Sequence, residues 1–338
     1  MRKIAILNQK GGVGKTTTAV NFSAGLARAG QKVCLFDLDP QAHATTHLGK
    51  EPDGVQLSMY DVLVNQKSLA ETRCSIQDNL DLIGSDINLA AAEVELAGVV
   101  GREVILREAL QADKEEYDYI LMDCGPSLGV LTLNALSTAD EVIIPLQPHF
   151  FALHGLSKLL ETTSLVCRRI NPSLRVSHIL ICLYETGTKL AQEVIRDLDH
   201  FLVNSRKMTV PWNQAQIFQQ KIRRNIKLAE CPSFGKSIFE YAPKSTGAQD
   251  YSLLVEEFLR SNCLPKVNED HSKGAVHQIP RELNSEISAR PIETINEEME
   301  SFDNILPITS LESKRFEANA LEDTSPLLDY SISDAKAA

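Results

Sequence analysis

Three glycines, two lysines and two threonines lie close together near the amino terminus. They occur in N-Q-K-G-G-V-G-K-T-T, residues 8–17, between the apolar run I-A-I-L at 4–7 and a helical pattern at 16–29. Gly11, Gly12 and Gly14 allow backbone N–H groups to curve around an anion. The positive end of the following helix would point at the same anion. This order of strand, loop and helix predicts a phosphate-binding loop.

Lys15 and Thr16 have the side chains that bind a nucleoside triphosphate at such a loop. A lysine at this position reaches the β- and γ-phosphates, and the adjacent hydroxyl binds Mg²⁺. Gln9 stands where the standard pattern G-x-x-x-x-G-K-[ST] has a glycine, and a second lysine, Lys10, begins the loop. We therefore predict a nucleotide and Mg²⁺ site that includes Lys10, Gly11, Gly12, Val13, Gly14, Lys15, Thr16 and Thr17.

Two apolar runs end in aspartates that belong beside this loop. The run V-C-L-F-D at 33–37 leads to Asp39, and Y-D-Y-I-L-M-D at 117–123 ends at Asp123. Ligands of parallel sheets bind at the carboxyl ends of the strands, so both carboxylates are expected near the phosphates. Asp123 has the position of a residue that holds Mg²⁺, usually through water. Asp39 precedes Pro40, and a turn role is its alternative.

The remaining elements predict how these residues are positioned. Apolar runs indicate strands at 80–83, 141–145, 176–183 and 217–222. Helical periodicity indicates helices at 89–96, 102–112, 131–137, 156–170, 189–203 and 249–260, whereas 42–79 is irregular or weakly helical. This alternation favours the α/β class, with a doubly wound, mostly parallel sheet and helices on both faces, as in the P-loop NTPase fold.

Composition excludes several other classes of protein. A hydrophobic content of 43% and a charged content of 23% are typical of a globular chain. The sequence contains no run of about 18 apolar residues that would form a transmembrane helix, and its amino terminus lacks the plan of a signal peptide. The seven cysteines are scattered without a C-x-x-C pair. We expect buried thiols in a reducing compartment, not disulfides or metal ligands.

The net charge of −11 is unevenly distributed along the 338 residues. Residues 264–338 carry 7 Lys and Arg against 15 Asp and Glu, a net of −8, and their apolar periodicity fades. We expect an acidic, disordered tail there, with a short helix near 292–302 and a candidate partner motif at 303–311. Residues 204–236 instead carry seven Lys and Arg against one Glu, a net of +6.

These motifs resemble the ParA/MinD superfamily of ATPases, which has a deviant Walker A motif. N-Q-K-G-G-V-G-K-T-T-T-A-V-N is similar to that motif, D-L-D-P-Q to a second acidic motif, and Y-I-L-M-D-C-G-P-S to a Walker B motif in which Gly125 replaces a proline. L-T-L-N-A-L, R-R-N-I-K-L-A-E-C-P-S-F-G-K-S-I and A-P-K-S-T-G-A resemble the chromosome-partitioning, ParA/Soj-like branch. The resemblance spans about residues 2–260 and implies a P-loop ATPase domain at 1–263.

The resemblance implies that the nucleotide is ATP, hydrolysed to ADP and phosphate with Mg²⁺ as cofactor. Lys10, Lys15 and Asp39 would be catalytic. Lys15 would bind the β- and γ-phosphates, and Asp39 would orient the attacking water. Lys10 would reach the partner's phosphates across a homodimer that encloses ATP. There it would offset the charge that phosphoryl transfer develops.

The same resemblance implies the remaining ligand contacts. Thr16 would bind the metal, and Asp123 would hold its water shell. Asn225 would line the adenine pocket. The family more often has a proline two residues before that asparagine, where this chain has Arg223. We therefore expect the adenine contacts to differ locally.

The resemblance also implies macromolecular partners. Partition ATPases of this branch bind DNA non-specifically as ATP dimers and are stimulated by a ParB-like protein, which implies a cytoplasmic, nucleoid-associated protein. The +6 segment fits this role because basic residues neutralise DNA phosphates. Arg224, Lys227 and Lys221 are the DNA-binding candidates. An insertion near 206–214, which holds Trp212, and Gly187, where relatives often have arginine, leave another partner open.

The two alternatives are a MinD-like ATPase and an orphan positioning ATPase. MinD-like proteins bind membranes through a basic amphipathic helix at the carboxyl terminus, and 264–338 contains no such pattern. We therefore expect no membrane partner. An orphan positioning ATPase would localise a protein cargo in place of a chromosome or plasmid. The acidic tail and the insertion are compatible with that role.

Overall fold

Apolar segments form a sheet of eight strands in the computed structural model, which describes residues 1–54 and 56–263. The strands are β1 (Arg2–Ile6), β2 (Val33–Leu38), β3 (Cys74–Gln77), β4 (Leu80–Ile83), β5 (Tyr119–Cys124), β6 (Glu141–Leu146), β7 (Arg175–Ile181) and β8 (Gln216–Ile217). Their order is β3-β4-β2-β5-β1-β6-β7-β8. The β3–β4 pair is antiparallel and the other pairs are parallel.

Helices pack against both faces of this sheet. They are α1 (Lys15–Arg28), α2 (His43–His47), α3 (Met59–Leu63), α4 (Leu69–Thr72), α5 (Leu89–Glu95), α6 (Ile105–Ala112), α7 (Val130–Thr138), α8 (Ala152–Arg169), α9 (Lys189–Ser205), α10 (Ile226–Glu230), α11 (Ile238–Tyr241) and α12 (Thr246–Cys263). Two 3₁₀ turns cover Pro52–Gly54 and Cys231–Phe234. One apolar cluster joins the sheet to α1, α2 and α10–α12, and the other joins it to α3–α9. The predicted doubly wound architecture is confirmed.

The central strands are apolar throughout because both of their faces are covered. Every residue of β2, β5 and β6 is buried. In β1, Ile4 and Ile6 belong to the cluster beside α1, whereas Ala5 and Leu7 belong to the opposite cluster. Successive side chains of a strand point to opposite faces, so a strand buried on both sides needs apolar residues at consecutive positions.

The strand predicted at 217–222 is wrong beyond its first residue, because β8 contains only Gln216 and Ile217. The N–H groups of Gln219 and Gln220 donate to the two carboxylate oxygens of Glu257, at 2.8 and 2.9 Å. A side chain of α12 therefore satisfies backbone groups that would otherwise pair with a neighbouring strand.

Residues 42–79 contain more structure than the sequence pattern predicts. They form α2, α3, α4 and β3, which pairs with β4 as a hairpin. Each of these three helices has five residues or fewer, too short for a periodic apolar stripe. Reciprocal capping boxes at Ser58 with Asp61 and at Ser68 with Glu71 begin α3 and α4. The S-x-x-D and S-x-x-E spacings in the sequence are typical of capping boxes and could have indicated where these two helices begin.

The insertion near 206–214 packs onto the body of the fold. Trp212 is buried, and its Nε1 donates to Ser205 Oγ at 3.2 Å. Val176 N donates to Pro211 O at 2.9 Å, which fastens the insertion to β7. The only tryptophan of the chain is therefore a core residue and not a surface contact for a partner.

Residues 264–338 lie outside the described residues, together with the helix near 292–302 and the motif at 303–311. The boundary at residue 263 therefore stays a prediction. Within 1–54 and 56–263, no helix has both the length and the apolar character needed to cross a membrane.

Candidate nucleotide site

The loop between β1 and α1 has the backbone conformation that the glycine pattern predicts. Gly12 and Gly14 have φ angles of 75° and 93°, in the left-handed region that L side chains rarely adopt. Gly14 caps the amino terminus of α1 in that conformation. A Cβ atom added to Gly11 or Gly12 would meet nothing within 4 Å. Space therefore remains beside the loop, and the start of α1 faces the expected anion position.

Lys15 is the first residue of α1, and its side chain curls back over the loop. Lys15 is buried, and its Nζ donates to the carbonyl oxygen of Lys10 at 3.3 Å. Asn8 fixes the start of the loop through two hydrogen bonds. Its Oδ1 accepts from Lys10 N at 3.0 Å, and its Nδ2 donates to Pro145 O at 2.7 Å. Asn8 thus ties the loop to β6, a role that the sequence analysis missed.

The side chain of Lys10 is directed at its own chain. Its Nζ contacts Nε2 of His149, which lies in the segment after β6. Burial and the nearby charge of Lys10 lower the pKa of His149, so the imidazole is neutral near pH 7 and accepts the hydrogen bond. Phe150 and Phe151, next along the chain, are exposed and form an edge-to-face pair at 5.0 Å.

Asp123, the penultimate residue of β5, lies directly opposite Asp37 of β2, and both carboxylates are fully buried. Burial raises the pKa of Asp37 to about 6. Burial, followed by the charge of Asp37, raises the pKa of Asp123 well above its usual range, whereas the Thr16 hydroxyl and Lys15 lower it. Neither carboxylate oxygen of Asp123 has a hydrogen-bond partner among the described residues.

A buried carboxylate without partners is costly unless a cation or a proton compensates it. The hard oxygen donors at this position, a carboxylate and the nearby Thr16 hydroxyl, are the ligands that Mg²⁺ prefers, directly or through water. Asp123 and Thr16 therefore fit a hydrated Mg²⁺ ion. The unpartnered oxygens are the structural observation behind this assignment.

Asp39 is buried beside the Walker B segment. Its Oδ1 accepts from Gln41 N at 3.0 Å, so the residue does organise the turn at Pro40. A Cβ atom added to Gly125 would lie 3.5 Å from Asp39 Cγ, which places the two acidic motifs in contact. The Asp39 carboxylate thus shares one edge of the sheet with Asp123 and with the phosphate loop.

Asp37 is a buried residue beside the candidate site to which the sequence analysis assigned no role. Its Oδ2 accepts from Thr45 N at 2.9 Å and from Thr45 Oγ1 at 2.7 Å, and its Oδ1 accepts from Asp39 N at 3.2 Å. Ser85 Oγ donates to Asp39 O at 2.8 Å. These bonds fix the backbone of Asp39. The D-x-D spacing could have indicated this role, because residues two positions apart in an extended chain lie on the same face.

Asn225 lies at the amino terminus of α10, where its side chain joins two helices. Its Oδ1 accepts from Lys227 N at 2.8 Å, and its Nδ2 contacts Thr246 Oγ1 at the start of α12. The adenine contact of Asn225 stays a prediction. Arg223 binds the buried carboxylate of Asp250 through Nε at 3.1 Å and Nη2 at 2.6 Å, so this arginine is structural.

The three DNA-binding candidates lie close to other charged or aromatic side chains. Arg224 Nε is 3.0 Å from Glu185 Oε1, and both side chains are more than half exposed. Lys227 Nζ is 2.8 Å from Glu230 Oε2. Lys221 Nζ lies 4.8 Å from the centre of the Tyr184 ring. The positive charge that the sequence concentrates in this segment is therefore partly offset by acidic neighbours.

Comparison with known proteins identifies relatives over most of the described chain. A family model described as AAA domain matches residues 1–176. The sporulation initiation inhibitor protein Soj of Bacillus subtilis (strain 168) is 43% identical over 255 residues, which cover 75% of this chain and 96% of that protein. The chromosome partitioning protein ParA of Myxococcus xanthus (strain DK1622) is 41% identical over 260 residues, 77% of this chain and 88% of that protein.

A solved structure is similar in fold to this chain. Cobyrinic acid a,c-diamide synthase from Mycobacterium smegmatis, with bound ADP and magnesium, has a TM-score of 0.66 and 33% sequence identity. The match covers 79% of this chain and 97% of that chain. By sequence and fold, the chain belongs to the ParA/Soj family of P-loop, chromosome-partitioning ATPases.

Proposed function

We propose that this chain hydrolyses ATP with Mg²⁺, forms a homodimer that encloses ATP, and acts in the partitioning of a chromosome or plasmid. The observation behind this proposal is that the phosphate loop, with its two lysines, lies at the same edge of the sheet as the buried carboxylates of Asp39 and Asp123. The names of the Soj and ParA relatives support partitioning. The bound ADP and magnesium in the related synthase support the nucleotide and the metal.

The side chains of the site divide the proposed reaction between them. Lys15 binds the β- and γ-phosphates, and the loop N–H groups bind the remaining phosphate oxygens. Thr16 and Asp123 would hold Mg²⁺, which offsets the negative charge of the phosphates. Asp39 accepts a hydrogen bond from the attacking water and directs it at the γ-phosphate, with ADP and phosphate as products. Asp37 keeps Asp39 in place through its backbone bond.

Lys10 has a different role from Lys15 because it is exposed. In the single chain of this structure, Lys10 Nζ contacts Nε2 of His149. In the proposed dimer it exchanges that contact for the partner's phosphates, where a cation offsets the charge of the transition state. Hydrolysis then depends on dimerisation, and the chain is slow as a monomer.

We further propose that the ATP dimer binds DNA non-specifically and responds to a ParB-like protein in the nucleoid region of the cytoplasm. Arg224, Lys227 and Lys221 would contact DNA phosphates, and the binding would weaken steeply with salt. A second candidate is a positioning ATPase with a protein cargo. The ion pairs of Arg224 and Lys227 with acidic neighbours favour it, because they reduce the charge available to DNA.

Sizing the full chain by light scattering tests the proposal. ATP with Mg²⁺ should produce a dimer, ADP or no nucleotide should leave a monomer, and the ATP dimer should co-elute with a random-sequence DNA duplex. A monomer in ATP would refute the dimerising ATPase. A dimer that ignores DNA would favour the protein-cargo candidate.

A double charge reversal, Arg224→Glu with Lys227→Glu, tests the DNA surface itself. Arg168→Glu with Arg169→Glu at the end of α8 changes the net charge equally and is the matched control, since both arginines are exposed. The first variant should lose ATP-dependent DNA retention, and the control should keep it. Equal retention by both variants would remove Arg224 and Lys227 from the DNA surface.

A further inference from the structure

Two aromatic rings are stacked in the segment that contains the DNA-binding candidates. Phe234 ends the 3₁₀ turn Cys231–Phe234, and its ring centre lies 4.6 Å from that of Tyr241, with 27° between the ring planes. Phe234 is nevertheless 59% exposed. The Tyr241 ring covers one face of Phe234, so the exposed area lies mainly on the opposite face. We call this pair the Phe234–Tyr241 stack.

A hydrogen bond and a close backbone contact hold the stack in place. Tyr241 OH donates to Glu230 Oε2 at 2.7 Å. Gly235, which follows Phe234, has a φ angle of 61°, and a Cβ atom added to it would lie 2.6 Å from the Cα atom of Gly49. The backbone beside Phe234 is therefore fixed against a distant segment. A ring that is positioned before a ligand arrives costs less entropy when it binds.

Positive charge remains in the segment that carries the two rings. Residues 221–244 contain six Lys and Arg against two Asp and Glu, a net of +4. Two acidic residues from outside this range each pair with one of its arginines, which reduces the excess to +2. Lys236 and Lys244 are exposed and form no ion pair among the described residues. These two lysines are therefore available to phosphate groups.

Lys227 connects the stack to the proposed DNA surface. Its Nζ lies 5.7 Å from the centre of the Tyr241 ring and 2.8 Å from Glu230 Oε2. The same oxygen of Glu230 accepts from the Tyr241 hydroxyl, so one carboxylate holds the lysine beside the ring. A candidate phosphate contact and an open aromatic ring thus belong to one surface.

An open aromatic ring beside lysines suits a nucleic-acid strand with unpaired bases. The bases of a duplex are stacked on one another, so non-specific duplex binding uses phosphate contacts and gains nothing from the ring. A single strand exposes the faces of its bases, and a base stacked on an aromatic side chain strengthens binding by about tenfold. A protein partner would also cover Phe234, but it would require only apolar area, which leucine supplies equally well.

We propose that the Phe234–Tyr241 stack binds an unpaired base of single-stranded DNA, while Lys227 and Lys236 bind the neighbouring phosphates. The inference rests on the proposed DNA-binding function and adds a second form of DNA to it. A duplex is bound through its phosphates alone, whereas a single strand is bound through its phosphates and a stacked base. The chain therefore prefers DNA whose strands are separated over a duplex with the same number of phosphate contacts.

Fluorescence anisotropy of the full chain in ATP and Mg²⁺, at one fixed salt concentration, tests the stack. The probes are an oligo-dT strand of about twelve nucleotides, an abasic strand of the same length and a random-sequence duplex. The abasic strand keeps the phosphates and lacks the bases. The wild type should bind the dT strand about tenfold more tightly than the abasic strand.

Two substitutions at Phe234 separate the ring from its apolar area. Phe234→Leu keeps most of the area and removes the aromatic face, so its affinity for the dT strand should fall to that for the abasic strand while duplex binding is unchanged. Phe234→Tyr keeps the ring and should bind all three probes as the wild type does. Phe151→Leu makes the same change at a phenylalanine outside the stack, 66% exposed, and should keep the preference for dT.

Three results would overturn the proposed base site. They are equal binding of the dT and abasic strands by the wild type, a preference for dT that survives in Phe234→Leu, and an equal loss of that preference in Phe151→Leu. A Phe234→Leu variant that loses binding of all three probes would also overturn it and would indicate a contact with protein. Duplex binding is measured first. Its absence would refute the proposed DNA function, whereas duplex binding without a preference for dT would refute only the stack.

Discussion

The unpartnered carboxylate of Asp123 leads to a prediction in which stability and activity change in opposite directions. Asp123→Asn removes a charge that is fully buried and has no described hydrogen-bond partner. Desolvation of such a charge costs several kcal/mol, whereas a neutral amide in the same place costs about 1–3 kcal/mol. We therefore expect the nucleotide-free variant to be more stable than the wild type by about 2 kcal/mol, or about 5 °C in Tm.

The matched control is Asp250→Asn, the same substitution at another fully buried aspartate. Asp250 accepts hydrogen bonds from Arg223 and from Gln220 Nε2, the latter at 3.1 Å. Neutralising it weakens the hydrogen bonds from Arg223, whose 42% exposed side chain remains hydrated, so this variant should be less stable by about 1 kcal/mol. Thermal unfolding of the full chain in EDTA, without nucleotide, measures both changes. A lower Tm for Asp123→Asn than for the wild type would refute the reasoning.

The effect of Asp123→Asn should also depend on pH. The pKa of Asp123 is raised in the folded state, so the wild type takes up a proton on folding at acidic pH. Its stability is then greatest below the unfolded pKa of about 4 and declines as the pH rises through the folded value. The Tm gain of the variant should accordingly be small near pH 4 and should grow as the pH rises through the folded pKa of Asp123. A gain that shrinks with rising pH would contradict a buried charge as its cause.

Adding ATP and Mg²⁺ should reverse the ranking of the wild type and Asp123→Asn. A ligand that binds only the folded state raises its stability by about 2.7 kcal/mol at a hundred times its Kd. The wild type should gain this stabilisation with Mg²⁺ present and gain less in EDTA. The variant, without the carboxylate that fits the hydrated ion, should gain equally little in both conditions and should not hydrolyse ATP.

Three further substitutions separate the roles assigned at the phosphate loop. Lys15→Ala should weaken binding of fluorescent ATP by about a hundredfold, since a charge-assisted contact is lost, and near-normal affinity would exclude that contact. Lys10→Ala should keep monomer binding of ATP but lose the ATP dimer in light scattering, whereas a normal dimer would remove Lys10 from the interface. Asp39→Ala should bind ATP and remain a dimer without turnover, and wild-type phosphate release would exclude its role with water.

The phosphate loop could be predicted from sequence because its function depends on neighbouring residues. Gly12, Gly14, Lys15 and Thr16 act through the backbone of one loop and the first turn of one helix, so their spacing contains most of the geometry. The position of Asp123 near the end of β5 could be predicted because an apolar run followed by a carboxylate is an equally local pattern, whereas its metal role stays a prediction. The sheet followed from the same kind of pattern, since buried parallel strands are short and apolar throughout.

The parts that sequence did not predict depend on contacts between distant segments. Asn8 reaches Pro145 across two adjacent strands, and Asp37 gains its role only when the 39–45 turn folds back onto β2. The end of β8 is set by Glu257 of α12. In each case a single side chain forms a hydrogen bond with the backbone of a distant segment. The local periodicity of the sequence contains no sign of such a bond.

The basic segment illustrates the same limit for charge. A net of +6 over 204–236 predicts an open cationic surface, but the opposing charges come from elsewhere in the chain. Glu185 pairs with Arg224, and Asp250 pairs with Arg223. The exposed pair is worth at most about 1 kcal/mol, so DNA phosphates could replace it at small cost. Breaking the Arg223 pair would instead leave the fully buried carboxylate of Asp250 uncompensated. Arg224 is therefore free to exchange partners, whereas Arg223 is not.

The buried carboxylates connect the stability of the fold to its chemistry. The Asp37 carboxylate accepts hydrogen bonds from the Thr45 hydroxyl and from the backbone N–H of Asp39. The Asp123 carboxylate, in contrast, has no described hydrogen-bond partner. The free energy that Asp123 costs in the nucleotide-free chain is recovered when a cation compensates it. In the proposed site, that recovery would add to the affinity for ATP with Mg²⁺ and would be absent for a nucleotide without the metal. The same edge of the sheet contains Asp39 and Gly125, so the carboxylate proposed to bind the metal and the one proposed to direct the water lie at adjacent strand ends.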